Sequence, residues 1–187
     1  MSIYQDWMEH VPVVDDMDPE TWPCEEEKCE CECCCCGETD GSVLVSYKKL
    51  NDLAVEPTRG SEYAAGYDLY AAIDTKVVIP PHQKAKIGTG LAFALPQGTF
   101  LGIYPRSGLA CKKGLRPANC VGVVDSDYRG EVKVAIHNDS EDYQTIANGE
   151  RIAQGILQTY LCMNFTETDE LPETDRGLGG FGSTGSK

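Results

Sequence analysis

The stretch Asn119-Cys-Val-Gly-Val-Val-Asp-Ser-Asp-Tyr-Arg-Gly130 carries the most informative fold signal in this chain of 187 residues. A short apolar run, Val121–Val124, meets the polar turn Asp125-Ser-Asp127, and a second alternating pattern starts after Gly130. Two such runs joined by a polar turn are typical of a β-hairpin. The sequence therefore predicts a hairpin at this point.

The predicted hairpin would present a carboxylate, an aromatic ring and an amide to one ligand lying in its mouth. Asp125 is the acid–base candidate, Tyr128 the ring that meets an apolar ligand face, and Asn119 the hydrogen-bonding amide. The competing interpretation is that Asp-Ser-Asp bonds its own backbone, as turn aspartates commonly do. Other motifs of the chain favour the first interpretation.

From Ser42 onward the sequence consists of short strand patterns separated by Gly and Pro. No stretch of comparable length has a convincing helical period. Many short strands with close turns favour an all-β fold, a jelly-roll-like barrel or sandwich, and a short helix is expected to start near Ser107. The predicted strands are Val43–Leu50, Thr75–Ile79, Lys84–Leu95, Thr99–Tyr104, Gly122–Asp125, Glu131–Asn138 and Arg151–Leu161.

Acidic residues are concentrated at the N-terminus. Residues 1–41 carry 13 acidic side chains and one lysine, net −12, whereas residues 42–187 carry 17 acidic and 15 basic side chains, net −2. A near-neutral body without a basic stripe argues against binding to nucleic-acid polymer. The start of the chain lacks a signal-peptide pattern, and the longest apolar run is too short to cross a bilayer. We therefore expect a soluble intracellular protein of the cytoplasm or nucleus, without membrane contact.

Residues 1–41 show no sustained period, which indicates an extension rather than a folded domain. Three interpretations are open: a reduced, disordered acidic tail; a thiolate cluster for zinc or another soft metal; and a lipidated or oxidised patch. A metal or a protein partner is the functional role that this extension suggests. Seven of the ten cysteines of the chain lie in it, namely Cys24, Cys29, Cys31, Cys33, Cys34, Cys35 and Cys36.

The segment 166–187 is polar and rich in glycine, and we expect it to be a flexible C-terminal arm. The run Gly177-x-Gly179-x-x-Gly182 matches a dinucleotide-binding pattern by letter, but too few residues follow for a helix to start there. Its glycines allow successive backbone N–H groups to converge on an anion. The candidate ligand-binding side chains of the arm are Arg176, Phe181, Ser183 and Thr184.

Three further segments carry polar groups that suit a phosphorylated ligand. Asp68 lies between apolar residues, where a carboxylate is costly unless it serves a metal, a water network or a buried partner. Pro105-Arg-Ser-Gly-Leu-Ala110 offers a guanidinium, a hydroxyl and an approachable backbone, the ingredients of a phosphate site. Gly149–Gly155 sets Arg151 and Gln154 in an apolar strand. A hydrogen-bonded turn, a capped helix start and a solvent-facing edge-strand pair are the respective structural alternatives.

Together these segments resemble, in order, the five motifs of the homotrimeric dUTPase family. The resemblance covers about residues 43–185, and five ordered motifs are highly specific; the N-terminal extension departs from the compact family pattern. The motifs are Ala65-Gly-Tyr-Asp-Leu69, Pro105–Ala110, Asn119–Gly130, Gly149–Gln154 and Arg176–Gly185. The expected organisation is an acidic, cysteine-rich extension at 1–41, a β domain at 42–165, and an arm at 166–187 that closes the active site.

The resemblance implies a homotrimer with active sites shared between subunits, in which the arm of one chain closes over a site formed by two others. It also implies hydrolysis of dUTP to dUMP and pyrophosphate with Mg²⁺ on the triphosphate, which keeps uracil out of DNA and supplies dUMP for dTMP synthesis. Asp125 resembles the base that activates water for attack on the α-phosphorus. Asp68 resembles the residue that holds magnesium through water.

Other residues of the motifs resemble the substrate contacts of the family. Tyr128 resembles the ring that packs on deoxyribose and leaves no room for a 2′-hydroxyl, and Asn119 with the backbone near Gly122 resembles the groups that read uracil. The implied phosphate-chain contacts are Arg106, Ser107, Gly108 and Gln154. The implied arm contacts are Phe181 on uracil, Arg176, Ser183 and Thr184 on the γ-phosphate, and Gly182 on the substrate.

Two other functions compete with this interpretation. A dCTP deaminase of the same fold family is the nearest enzyme alternative, but the turn Asp125–Tyr128, with Phe181–Thr184 following, favours the hydrolase. A zinc cytidine deaminase is excluded because His-x-Glu is absent and the cysteine spacing is wrong. A non-catalytic binding protein on the same scaffold is a different class that stays open, since a fold does not fix a function.

Overall fold

The computed structural model describes residues 42–180, and the chain divides into two units, Met1–Leu44 and Val45–Lys187. Every element described belongs to the second unit. Its strands are β1 (Ser46–Lys49), β2 (Thr58–Arg59), β3 (Tyr67–Tyr70), β4 (Val77–Ile79), β5 (Lys84–Gly88), β6 (Leu91–Ala94), β7 (Thr99–Tyr104), β8 (Leu115–Pro117), β9 (Gly122–Asp125), β10 (Lys133–Asn138), β11 (Gln144–Ile146) and β12 (Arg151–Thr159), and its helix is α1 (Ser107–Lys113).

The strands are antiparallel and form four sheets within residues 42–180. The largest has the order β2-β3-β12-β7-β9, a second has the order β5-β10-β8, and two pairs are β1-β6 and β11-β4. Alternating side chains explain their burial: in β10, Val134 and Ile136 are buried whereas Lys133 is exposed. The fully buried aliphatic side chains include Leu69, Ile79, Ile87, Leu91, Leu115, Ile136, Ile146 and Ile152. The all-β, jelly-roll-like prediction is confirmed.

The predicted hairpin around Asp125–Gly130 is wrong. Strand β9 pairs with β7, with Gly122 opposite Ile103 and Asp125 opposite Phe100, whereas β10 pairs with β5 and β8. The seven residues between β9 and β10 exceed the roughly two to five of a usual hairpin loop. They carry the chain from one sheet to the other, so the functional turn lies between two sheets.

Two other differences concern strand boundaries. The predicted strand Lys84–Leu95 is interrupted at Gly90, whose φ of 65° lies in the left-handed region that favours glycine, and it therefore forms β5 and β6. Four short strands, β2, β3, β8 and β11, were not predicted, because two to four residues are too few to show an alternation. Partner strands, not local sequence, define them.

The predicted short helix after Pro105 is present as α1. It begins at Ser107 and ends before Gly114, which adopts the left-handed conformation with φ of 64°. Lys112 and Lys113 lie in its last turn, where positive charge is favourable. No helix within residues 42–180 is long and apolar enough to cross a membrane.

Candidate active site

An open cleft of about 950 Å³ brings together three of the predicted site residues, Asn119, Asp125 and Tyr128. This volume falls within the range of small-ligand pockets, roughly 300–1,000 Å³. On one side lie β9 and the segment that follows it. On the other side lies the outer face of β5 and β10, with Lys84, Lys86, Lys133 and Ala135. We call this the Asp125 cleft.

Gly122 supports the Asp125 cleft from beneath. It is buried, and a Cβ atom at this position would lie 3.1 Å from Cβ of Ile103 and 3.2 Å from Nδ2 of Asn119. Because only a glycine leaves this space, β9 approaches β7 closely and the Asn119 amide lies directly against the strand. The structure therefore gives Gly122 a packing reason to accompany Asn119.

A polar network fixes the segment that leads to Asn119. Arg116 donates from Nε and Nη2 to the two carboxylate oxygens of Asp139, at 2.7 and 3.1 Å, and Sγ of Cys120 donates to the Pro117 carbonyl at 2.9 Å. The hydrogen bond from Arg116 holds the pKa of Asp139 below its usual value. This network restrains the backbone on either side of Asn119.

Asp68 is the centre of a second cluster, at the other end of the sheet. It is buried on β3, and its two oxygens accept hydrogen bonds from Nε of Arg106 at 2.7 Å and from Nη1 of Arg151 at 3.0 Å. A buried carboxylate requires such partners, because burial of an unpaired charge is costly. Asp68 thus anchors two arginines, and its predicted contact with magnesium through water stays a prediction.

The predicted phosphate residues surround this pair of arginines. Gln154 donates from Nε2 to the Pro105 carbonyl at 2.9 Å, so its side chain fixes the turn that precedes α1. Ser107 and Gly108 form the start of α1. A second cleft, of about 430 Å³, is lined by Arg106 and Gly108 and also by Arg151. We call this the arginine cleft.

The two clefts face opposite ends of strand β7. Asp125 lies opposite Phe100 near the start of β7, and Arg106 follows Tyr104 at its end. Four residues of strand separate Phe100 from Tyr104, which is about 13 Å. No residue lines both clefts. Within one chain, the candidate base and the candidate phosphate-binding arginine therefore belong to different surfaces.

Only the beginning of the predicted arm belongs to the described part of the chain. Arg176 is exposed and donates from Nε to the carbonyl of Gly179 at 2.9 Å. The other arm candidates, Phe181, Gly182, Ser183 and Thr184, lie outside the described residues. The cysteine tract, Cys24, Cys29, Cys31, Cys33, Cys34, Cys35 and Cys36, also lies outside them.

Sequence reasoning did not assign site roles to three residues that contact candidate groups. Arg151 pairs with Asp68, the Glu131 carbonyl accepts the hydroxyl of Tyr128 at 3.1 Å, and Gly130 lies beneath the ring of Tyr128. Arg151 had been noted in its motif, so its charge was a usable signal. The positions of Gly130 and Glu131 directly after Tyr128 gave only a weak one.

Comparison with known proteins decides the family. The dUTPase family model matches residues 53–185, most of the chain. The chain belongs to the dUTPase family. The deoxyuridine 5′-triphosphate nucleotidohydrolase of Arabidopsis thaliana is 47% identical over 149 residues, which are 80% of this chain and 87% of that protein. The protein of the same name from Nautilia profundicola is 46% identical over 138 residues, 74% of this chain and 96% of its own length.

A solved structure agrees with this family assignment. The dUTPase of Staphylococcus bacteriophage 80alpha, solved with dUpNHpp, matches with a TM-score of 0.68 and 26% identity, over 77% of this chain and 99% of that one. The predicted membership in the dUTPases, and with it the enzyme class of a dUTP diphosphatase, is confirmed.

Proposed function

We propose that the chain hydrolyses dUTP to dUMP and pyrophosphate in active sites shared between the subunits of a homotrimer. The observation that carries the proposal is the grouping of Asn119, Asp125 and Tyr128 in one cleft of nucleotide size. An amide, a carboxylate and an aromatic ring are the groups needed to bind a base, activate water and pack against a sugar.

The separation of the two clefts supports a shared site. A water molecule activated by Asp125 must attack a phosphorus atom within a few ångströms, yet Arg106 lies beyond the far end of β7. A site completed by the arginine cleft of a second subunit would place both groups on one triphosphate. In the proposed trimer, the arm of the third subunit, with Arg176, closes over the nucleotide.

The proposed reaction is an in-line displacement at the α-phosphorus. The Asp125 carboxylate accepts a proton from water, the water oxygen forms a bond to the α-phosphorus, and the bond from that phosphorus to the bridging oxygen of the β-phosphate breaks. The bonding electrons leave with pyrophosphate. Because phosphoryl transfer depends on positioning and on dispersed positive charge, the guanidinium groups of Arg106 and Arg176 would stabilise the negative charge that shifts onto the phosphate chain.

Selectivity would reside in the Asp125 cleft. Asn119 can donate to and accept from the edge of a uracil ring, and its amide is held against Gly122. The Tyr128 ring is half-exposed at the wall of the cleft, where it can pack on a deoxyribose. Removal of dUTP in this way would keep uracil out of DNA and supply dUMP for dTMP synthesis. The intracellular location stays a prediction.

Magnesium fits the residues present as a cation bound mainly to the substrate. Within residues 42–180, no group of three His, Cys, Asp or Glu side chains could hold a metal ion. Mg²⁺ commonly keeps several waters and binds through substrate phosphates with one or two carboxylates. We propose that Asp68 holds Mg²⁺ through water, where the cation would neutralise part of the triphosphate charge.

The replacement Asp68→Asn separates two roles of this residue. An amide cannot balance the charge of both arginines, so we expect at least a roughly tenfold rise in KM for dUTP as Arg106 and Arg151 lose their anchor. If Asp68 also holds magnesium, the Mg²⁺ concentration for half-maximal activity will rise too. Steady-state kinetics with titrated Mg²⁺ measure both. An unchanged KM would contradict the anchoring role.

Pyrophosphate release tests the proposed function directly. The purified protein is given Mg²⁺ and, separately, dUTP, dTTP, dCTP and UTP, and the nucleotide products are identified. We expect release from dUTP and very little from the other three. Conversion of dCTP to a uracil nucleotide would establish the deaminase alternative, and no reaction with dUTP would leave a non-catalytic binding protein.

Removal of residues 1–41 tests the proposed domain organisation. The matched family region starts at residue 53, and the described strands start at Ser46, so we expect kcat and KM for dUTP to change by less than about twofold. Metal content measured on the full-length and shortened proteins would test the proposed soft-metal role of the cysteine tract. Loss of hydrolysis in the shortened protein would place the extension in the active site.

A further inference from the structure

The Tyr128 ring is folded back over the glycine that follows it two residues later. A Cβ atom added to Gly130 would overlap the Tyr128 hydroxyl oxygen and would lie 2.6 Å from Cζ and 3.0 Å from Cε2. The φ angle of Gly130 is outside the left-handed region, so its backbone conformation is open to any residue. The glycine is therefore needed here for space, and the space it leaves is filled by this ring.

The hydroxyl of Tyr128 ends on a firmly anchored acceptor. It donates to the Glu131 carbonyl at 3.1 Å. The carboxylate of Glu131 accepts from the Gly90 N–H at 3.0 Å and pairs with Lys133 at 3.1 Å, and the next residue, Val132, donates to the Leu91 carbonyl at 2.8 Å. These bonds tie the segment to the turn between β5 and β6. The acceptor therefore holds the ring at a fixed place in the wall of the cleft.

We infer that Gly130 is a specificity-determining position, which sets how closely the Tyr128 ring approaches the sugar of the nucleotide. The inference rests on the proposed function, in which this ring packs on deoxyribose. With Gly130, the ring is retracted over the backbone and held by Glu131. With any larger residue, the ring must leave that place, because the overlapping atoms belong to the far end of a half-exposed side chain.

The cost of a side chain at position 130 falls on the ring rather than on the fold. A side-chain end moves more cheaply than a backbone, so Gly130→Ala should leave the thermal unfolding temperature nearly unchanged. The displaced ring loses its hydrogen bond to Glu131 and no longer forms a fixed wall. The substrate with a 2′-hydroxyl is then less strongly rejected, and packing on the deoxyribose of dUTP is weakened.

The test compares dUTP with UTP in four variants and the wild type. Gly130→Ala is expected to lower the ratio of kcat/KM for dUTP to that for UTP by roughly tenfold or more. Gly60→Ala is the matched control, because a Cβ at Gly60 meets nothing within 4 Å. Tyr128→Ala removes the ring, and the double variant Tyr128→Ala with Gly130→Ala completes a thermodynamic cycle. Calorimetric binding of dUMP and UMP repeats the comparison without catalysis.

If Gly130 acts through the ring, its replacement will have no further effect on the ratio once Tyr128 is alanine. An unchanged ratio in Gly130→Ala, or an effect of full size in the Tyr128→Ala background, would overturn the inference. A wild type that neither binds dUMP in preference to UMP nor hydrolyses dUTP would instead overturn the proposed function. The two failures are therefore distinguishable in one set of measurements.

Discussion

Asp125→Asn is expected to lower kcat for dUTP by about 10³ to 10⁴-fold while leaving the affinity for the nucleotide nearly unchanged. An amide keeps the size and a hydrogen-bonding oxygen but cannot accept the proton of the attacking water, and a positioned base contributes up to about 10⁴-fold. Single-turnover hydrolysis of dUTP gives the rate of the chemical step. Calorimetric titration with a non-hydrolysable analogue gives the affinity.

The neighbouring carboxylate provides a matched control for this variant. Asp127 lies in the same exposed turn but does not line the Asp125 cleft. Asp127→Asn should therefore retain most of the activity. Equal losses in both variants would indicate a general electrostatic effect of the turn. Unfolding of Asp125→Asn would show that this aspartate is structural.

Deletion of residues 175–187 is expected to leave a folded trimer whose kcat for dUTP is lower by on the order of a hundredfold or more. The deletion removes Arg176 and the glycine-rich end of the arm, which the proposal places over the phosphate chain. The loss of one preorganised charge-stabilising donor costs about 10² to 10³-fold in comparable sites. Pyrophosphate release measures activity, and size-exclusion chromatography with light scattering measures assembly.

Point variants in the same segment refine this second test. Arg176→Ala should reproduce most of the loss, whereas Glu173→Gln, an exposed change three residues earlier, should not. Full activity in the shortened protein would remove the arm from the mechanism. Dissociation of the trimer would instead mean that the segment contributes to assembly.

Local chemistry was readable from the sequence because it resides in side chains that are close in the chain. Asn119, Asp125 and Tyr128 are separated by at most nine residues, and the structure does place them in one cleft. The helix after Pro105 was equally readable, because proline, serine and a terminal glycine are local signals. The roles assigned to these residues stay predictions until the variants are measured.

Pairings over long sequence distances were not readable. Asp68 and Arg151 are 83 residues apart, and no local pattern indicates that one carboxylate would anchor both Arg151 and Arg106. The hairpin prediction failed for the same reason. The strand pattern of Gly122–Asp125 is local, but its partner β7 is chosen by the close approach of Gly122 to Ile103.

The sequence by itself determined the family, the all-β class and the residues that carry the candidate chemistry, since five ordered motifs and strand periodicity are properties of the chain alone. The tertiary structure decided which strands pair, which charges meet and where Tyr128 points. It also placed Asp125 and Arg106 at opposite ends of β7. The physical reason is that sheet pairing, burial of Asp68 and the space over Gly130 depend on atoms brought together only by folding.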